Sequence, residues 1–155
     1  MFDKWTFLSL LILGTGLLIV AAPAQAQRLQ PNLQTCEENP ITLIVSSGTL
    51  DTLSEVCVER QSAMEVKTWA ASRYTAWPSG WNSLEHGATL NVFRQSDEAL
   101  VAGPTTAVKF QTTGVACPTL VFSEEDLVKA EGNHWYQKDP NDPGNPEMVQ
   151  TMVYE

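Results

Sequence analysis

Histidine and cysteine carry much of the acid–base, nucleophilic and ligand chemistry open to a protein, and this chain has two of the first and three of the second. An imidazole titrates near neutrality and binds metal readily. A metal site, however, needs further ligands at short helical or hairpin spacing. His86 and His134 are far apart, and neither has a second histidine near it. Glu85-His86 stands in a polar stretch, where a solvated histidine is expected. Cys36, Cys57 and Cys117 form no C-x-x-C pair, which argues against a zinc site. Asp139, Asn141, Asp142, Asn145 and Glu147 put hard oxygen donors of the kind calcium takes into one segment. Their order is wrong for an EF-hand loop. Counted from Asp139, Pro143 occupies the fifth position and Gln150 stands where the closing glutamate belongs. No metal and no cofactor is expected.

Nucleophilic catalysis has no local signature either. Ser79 and Ser83 lack the G-x-S-x-G surroundings of a nucleophile elbow. Glu124, Glu125 and Asp126 look like paired carboxylates, but they are explained by a helix start, where the dipole favours negative charge. Catalytic residues are therefore unassigned, and any enzyme activity would depend on groups that meet only in the fold.

The aromatic residues offer more. Trp69, Tyr74, Trp77 and Trp81 crowd into 13 residues, and Trp77 and Trp81 flank a Pro-Ser-Gly turn. Tryptophan beside polar groups can stack on a sugar ring or anchor a partner protein. The competing role, filling the core or capping an open end of a β domain, is the commoner one for large aromatics. As a tight loop the turn is expected at the surface. On that reading, replacing both of its tryptophans by alanine leaves the melting temperature nearly unchanged.

The cysteines bear on compartment. Three in an exported chain favour one disulfide and one thiol left over. Of the three possible pairings, Cys36 with Cys57 is favoured: they are near in sequence, and Cys36 sits in a polar segment that would otherwise be loose. A loop of that size is worth about 3 kcal/mol in the chain-entropy account. The Val56-Cys57-Val58 context suits a buried apolar thiol equally well.

Export is indicated by the first residues. Lys4 is followed by an apolar run from Phe7 to Ala22, then Pro23 and the small-x-small triplet Ala24-Gln25-Ala26. This is the pattern of a secretory signal peptide (1–26), with cleavage expected before Gln27. The run is short for a membrane anchor, which needs about 20 apolar residues. About 130 residues remain, enough for one domain with its own core. Cleavage removes only Asp3 and Lys4 as charged groups, so the net charge stays at −9. Such acidity repels phosphate backbones and anionic membrane surfaces, so neither nucleic acid nor, after cleavage, a membrane is an expected partner.

Residues 27–40 read as a polar, extended or disordered leader, and 41–155 as a single β-rich domain. Ile41–Val45 reads as a strand ended by Ser46-Ser47-Gly48. Further strands are expected from about Glu55 and about Ala63, over Ala88–Phe93, over Ala99–Ala102 until Gly103-Pro104 breaks it, and over Ala107–Gln111, Thr119–Phe122 and Met148–Tyr154. One short helix is expected from a capping-box-like Ser123…Asp126, stopped by Gly132. The fold class is thus mainly β, an antiparallel sandwich or barrel-like single domain with one short helix. The corresponding function is an exported acidic binding or interaction module, periplasmic or extracellular, with Trp69, Tyr74, Trp77 and Trp81 as binding residues and a carbohydrate or a protein as ligand. The alternatives are a small exported hydrolase without a local motif and a structural envelope component.

Overall fold

Period-two alternation of apolar and polar residues carries through into eight strands. The computed structural model describes residues 33–155, so the signal peptide (1–26) and the start of the polar leader lie outside the described residues. The strands are β1 (Leu33–Val45), β2 (Gly48–Arg60), β3 (Glu65–Ala76), β4 (His86–Arg94), β5 (Leu100–Lys109), β6 (Thr119–Ser123), β7 (Val128–Tyr136) and β8 (Glu147–Tyr154). They form two four-stranded sheets, ordered β1-β2-β3-β6 and β5-β4-β7-β8. Every pairing is antiparallel. The sheets pack face to face, with β1 over β8, β2 over β7 and β8, β3 over β4 and β7, and β5 beside β6. The result is sandwich-like.

Two apolar clusters fill the interior. One contains Val56, Val58, Val66, Leu90, Val92, Val128 and Val153. The other, at the opposite end, contains Leu50, Tyr74, Leu84, Tyr136 and Val149. Between them runs a belt of buried polar groups, including Ser54, Ser72, His134 and Thr151. The disulfide joins Cys36 to Cys57, which face each other directly in the β1–β2 register with their Cα atoms 4.1 Å apart. Cys117 is the free, exposed thiol.

Several sequence expectations change. No helix forms among the described residues; Ser123 ends β6, and β7 begins at Val128. The Arg60 guanidinium takes the carbonyls of Glu124 and Asp126, both at 2.8 Å. The Glu124 carboxylate accepts the N–H groups of Glu125 and Asp126. The acceptor is thus Glu124, not the Ser123 expected of a capping box, and it closes a turn between strands. Gly132 does not stop a helix; it lies in the middle of β7. A Cβ there would sit 2.5 Å from His134 Nε2 and 2.8 Å from Thr151 Oγ1, so glycine makes room for the buried imidazole.

Gly103-Pro104 does not break a strand either. β5 runs through it, with a register shift opposite Leu90 and Val92. As a sheet edge β5 can hold a proline, because no outer neighbour needs its N–H. The second half of the leader is strand, since β1 starts at Leu33 and pairs along its whole length with β2. The strand expected from about Glu55 starts earlier, at Gly48, and runs unbroken to Arg60.

A candidate binding face

His86 is not solvated. It opens β4 with its side chain inside the sandwich and fully buried. Tyr74 meets it edge to face at 4.9 Å, and Tyr136 stacks parallel to it at 6.3 Å. Neither ring nitrogen has a partner in hydrogen-bond geometry among the described residues. Burial, and secondarily the charge of Lys109, lowers its pKa to about 4.

His134 is equally buried but fully bonded. The Ser72 hydroxyl donates to the Gly87 carbonyl at 2.7 Å. Its oxygen therefore accepts from Nδ1–H of His134 (2.8 Å), and Nε2 accepts from the Thr151 hydroxyl (2.8 Å). Desolvation lowers this imidazole to about 4 as well. A serine beside a histidine has the elements of a hydrolytic pair. Here both are sealed inside, and the serine proton is committed to a backbone carbonyl. The network links β3, β4, β7 and β8.

The four aromatic residues singled out in the sequence do not form one surface. Tyr74 points inward, and its hydroxyl is 2.9 Å from the carbonyls of both Glu85 and Gln137. Trp69, of opposite parity on β3, lies on the outer face of the first sheet. Its indole N–H donates to Glu55 (3.0 Å), and Lys67 sits over its ring. Trp77 and Trp81 are half-buried and pack on the cluster around Leu50 and Tyr136; only Ser79 and Gly80 of the turn are exposed. The turn is superficial as expected, but its tryptophans reach back to roof the end of the sandwich. The Trp77→Ala/Trp81→Ala variant is accordingly expected to lose about 3 kcal/mol, a fall of about 10 °C in melting temperature. A scan matching the unsubstituted protein would refute this packing role.

The acidic loop lies at the same end. With Ile44, Val45 and Ser46, the residues Lys138, Asp139, Asp142 and Asn145 line an open groove of about 280 Å³. Asp139 Oδ1 accepts the Asn141 N–H at 2.8 Å and shapes the loop. Among the described residues no three His, Cys, Asp or Glu side chains converge to hold a metal ion.

A more organised surface lies on the outer face of the sheet β5-β4-β7-β8. Directly opposed residues share a face of a sheet. The register therefore sets Val108, Gly87, Trp135 and Met148 in one row. The next row is Thr106, Thr89, Asn133 and Gln150. At the far end Leu100, Phe93, Lys129 and Tyr154 line up. Trp135 lies across Gly87 so closely that a Cβ at residue 87 would fall 2.1 Å from its Cζ2. Its N–H reaches Glu85 Oε1 at 3.3 Å. Lys129 is held by Glu98 (2.6 Å) and Glu131 (3.1 Å) and sits 5.0 Å over Phe93.

Trp135 was not selected from sequence, because a helix ending at Gly132 hid the alternation of Glu131, Asn133 and Trp135 against Gly132, His134 and Tyr136. That alternation was the available signal.

The described residues form a disulfide-bonded, sandwich-like fold of eight strands with an open, partly aromatic sheet face. Comparison with known protein families, with curated proteins and with solved structures finds no match.

Proposed function

We propose that this protein is an exported binding module that recognises its ligand on the outer face of the β5-β4-β7-β8 sheet. The observation that carries this reading is the seating of Trp135 on Gly87. The sheet holds a large flat ring in place in the same row as Val108 and Met148, both exposed. Leu100, Val108, Met148 and Tyr154 are four of the ten exposed large hydrophobic side chains among the described residues. Val108, Trp135 and Met148 share one row, and apolar side chains exposed together on a small domain commonly mark an interaction site. Export is supported by the signal-peptide pattern, and the Cys36–Cys57 bridge is compatible with an oxidising compartment.

The test is a comparison of two surfaces. Val108→Asp/Met148→Lys alters the sheet face, and Ser79→Glu alters the tryptophan loop. All three residues are exposed, so stability should shift by no more than about 0.5 kcal/mol per substitution. Each protein is screened on glycan arrays and against exported proteins. Ligands retained by Ser79→Glu and lost by the face variant are the expected outcome. Ligands lost only with Ser79→Glu would move the site to the loop and overturn the reading.

A further inference from the structure

We infer that the ligand on this face is a neutral glycan chain, with one sugar ring stacked on Trp135; the inference rests on the face being the binding surface. The apolar row does not stand alone. One step along the strands, about 7 Å away at two residues per step, stand the hydroxyls of Thr89 and Thr106 and the amides of Asn133 and Gln150. These are uncharged donors and acceptors, the groups that match sugar hydroxyls. The ring of Trp135 lies flat on Gly87 and is only partly buried, the arrangement in which an indole stacks on the C–H face of a pyranose.

A chiefly apolar protein partner would not need a continuous polar row across the middle of its interface. An acidic glycan is disfavoured by the net charge of −9. Lys129, on this same face, is already held by Glu98 and Glu131.

Gly87→Ala gives a direct test, because it keeps the indole but forces it off the sheet. Neutral polysaccharides (a β-glucan, a mannan, chitin oligosaccharides) and acidic ones (alginate, polygalacturonate) are titrated against the mature protein by calorimetry. At least one neutral glycan should bind, with the acidic ones at least tenfold weaker. Gly87→Ala should lose tenfold or more, and Trp135→Ala at least as much, a readout that survives if either variant folds. Asn133→Ala/Gln150→Ala should lose about tenfold, as two hydrogen bonds of ordinary strength imply. Equal binding of acidic and neutral glycans would overturn the inference. So would no glycan binding by a protein whose face still captures a defined protein ligand, but the face would then stand as the site. Glycan binding untouched by Gly87→Ala, by Trp135→Ala and by Val108→Asp/Met148→Lys would overturn both.

Discussion

Replacing Arg60 by alanine is expected to destabilise the protein by about 3–5 kcal/mol. The guanidinium is 1 % exposed, and all five of its N–H donors are used. Nη1 donates to the carbonyls of Ala63 (3.2 Å) and Glu124 (2.8 Å). Nη2 donates to the Asp126 carbonyl (2.8 Å) and to Glu155 Oε2 (2.7 Å), and Nε bonds Glu155 Oε1. The same Oε2 accepts the N–H of Val128. One side chain at the end of β2 therefore ties the β2–β3 turn, the β6–β7 turn and Glu155 together. Alanine would leave a buried carboxylate and three carbonyls without their partner, and that desolvation is the source of the loss. Lysine keeps the charge but has three donors and no fork, so Arg60→Lys should recover only part of the stability. Urea unfolding of the two variants measures the difference. A loss below about 1 kcal/mol for Arg60→Ala would mean that water replaces the guanidinium, contrary to its burial here.

Acid is expected to destabilise the fold steeply between pH 6.5 and 4. His86 and His134 are held neutral with pKa values of about 4, burial being the main cause for both. In the unfolded chain they titrate near 6.5. Between these values the unfolded state binds more protons, so stability rises with pH across that window and is lost as pH falls. Each imidazole contributes about 2 kcal/mol of difference between pH 7.5 and pH 5, so the pair should cost about 4 kcal/mol. The groups around them do not offset this. Tyr74 and Tyr136 have pKa values raised by burial and stay neutral, Ser72 and Thr151 are hydroxyls, and Lys109 opposes protonation of His86. Denaturant unfolding at the two pH values measures the loss, and His86→Phe should remove about half of it. Equal stability at pH 7.5 and pH 5 would show that both imidazoles protonate inside the fold without penalty.

Much of the strand content was legible because burial on one face writes a period of two into the chain. Ile41–Val45, Ala88–Phe93, Thr119–Phe122 and Met148–Tyr154 all read correctly as strand. The Cys36–Cys57 pairing was favoured from proximity and is what the β1–β2 register brings together. Misreadings fell where a local signal served a distant partner. Ser123 to Asp126 carries helix-start chemistry, but Arg60 and Arg94 decide its conformation from other strands. Gly132 looks like a stop, yet it is small to admit His134. Gly103-Pro104 looks like a break and is tolerated by an edge. The candidate site was the least legible part. Trp135, Val108 and Met148 come from three strands, and only sheet pairing places them in one row.

By itself the sequence determined that the chain is mainly β and acidic, because alternation and charge are local or additive properties. Tertiary structure alone decided which aromatic residues roof the sandwich, fill its core or lie on an outer sheet face. A residue's face follows from its strand's register, and register is settled by pairing with segments far away in the chain.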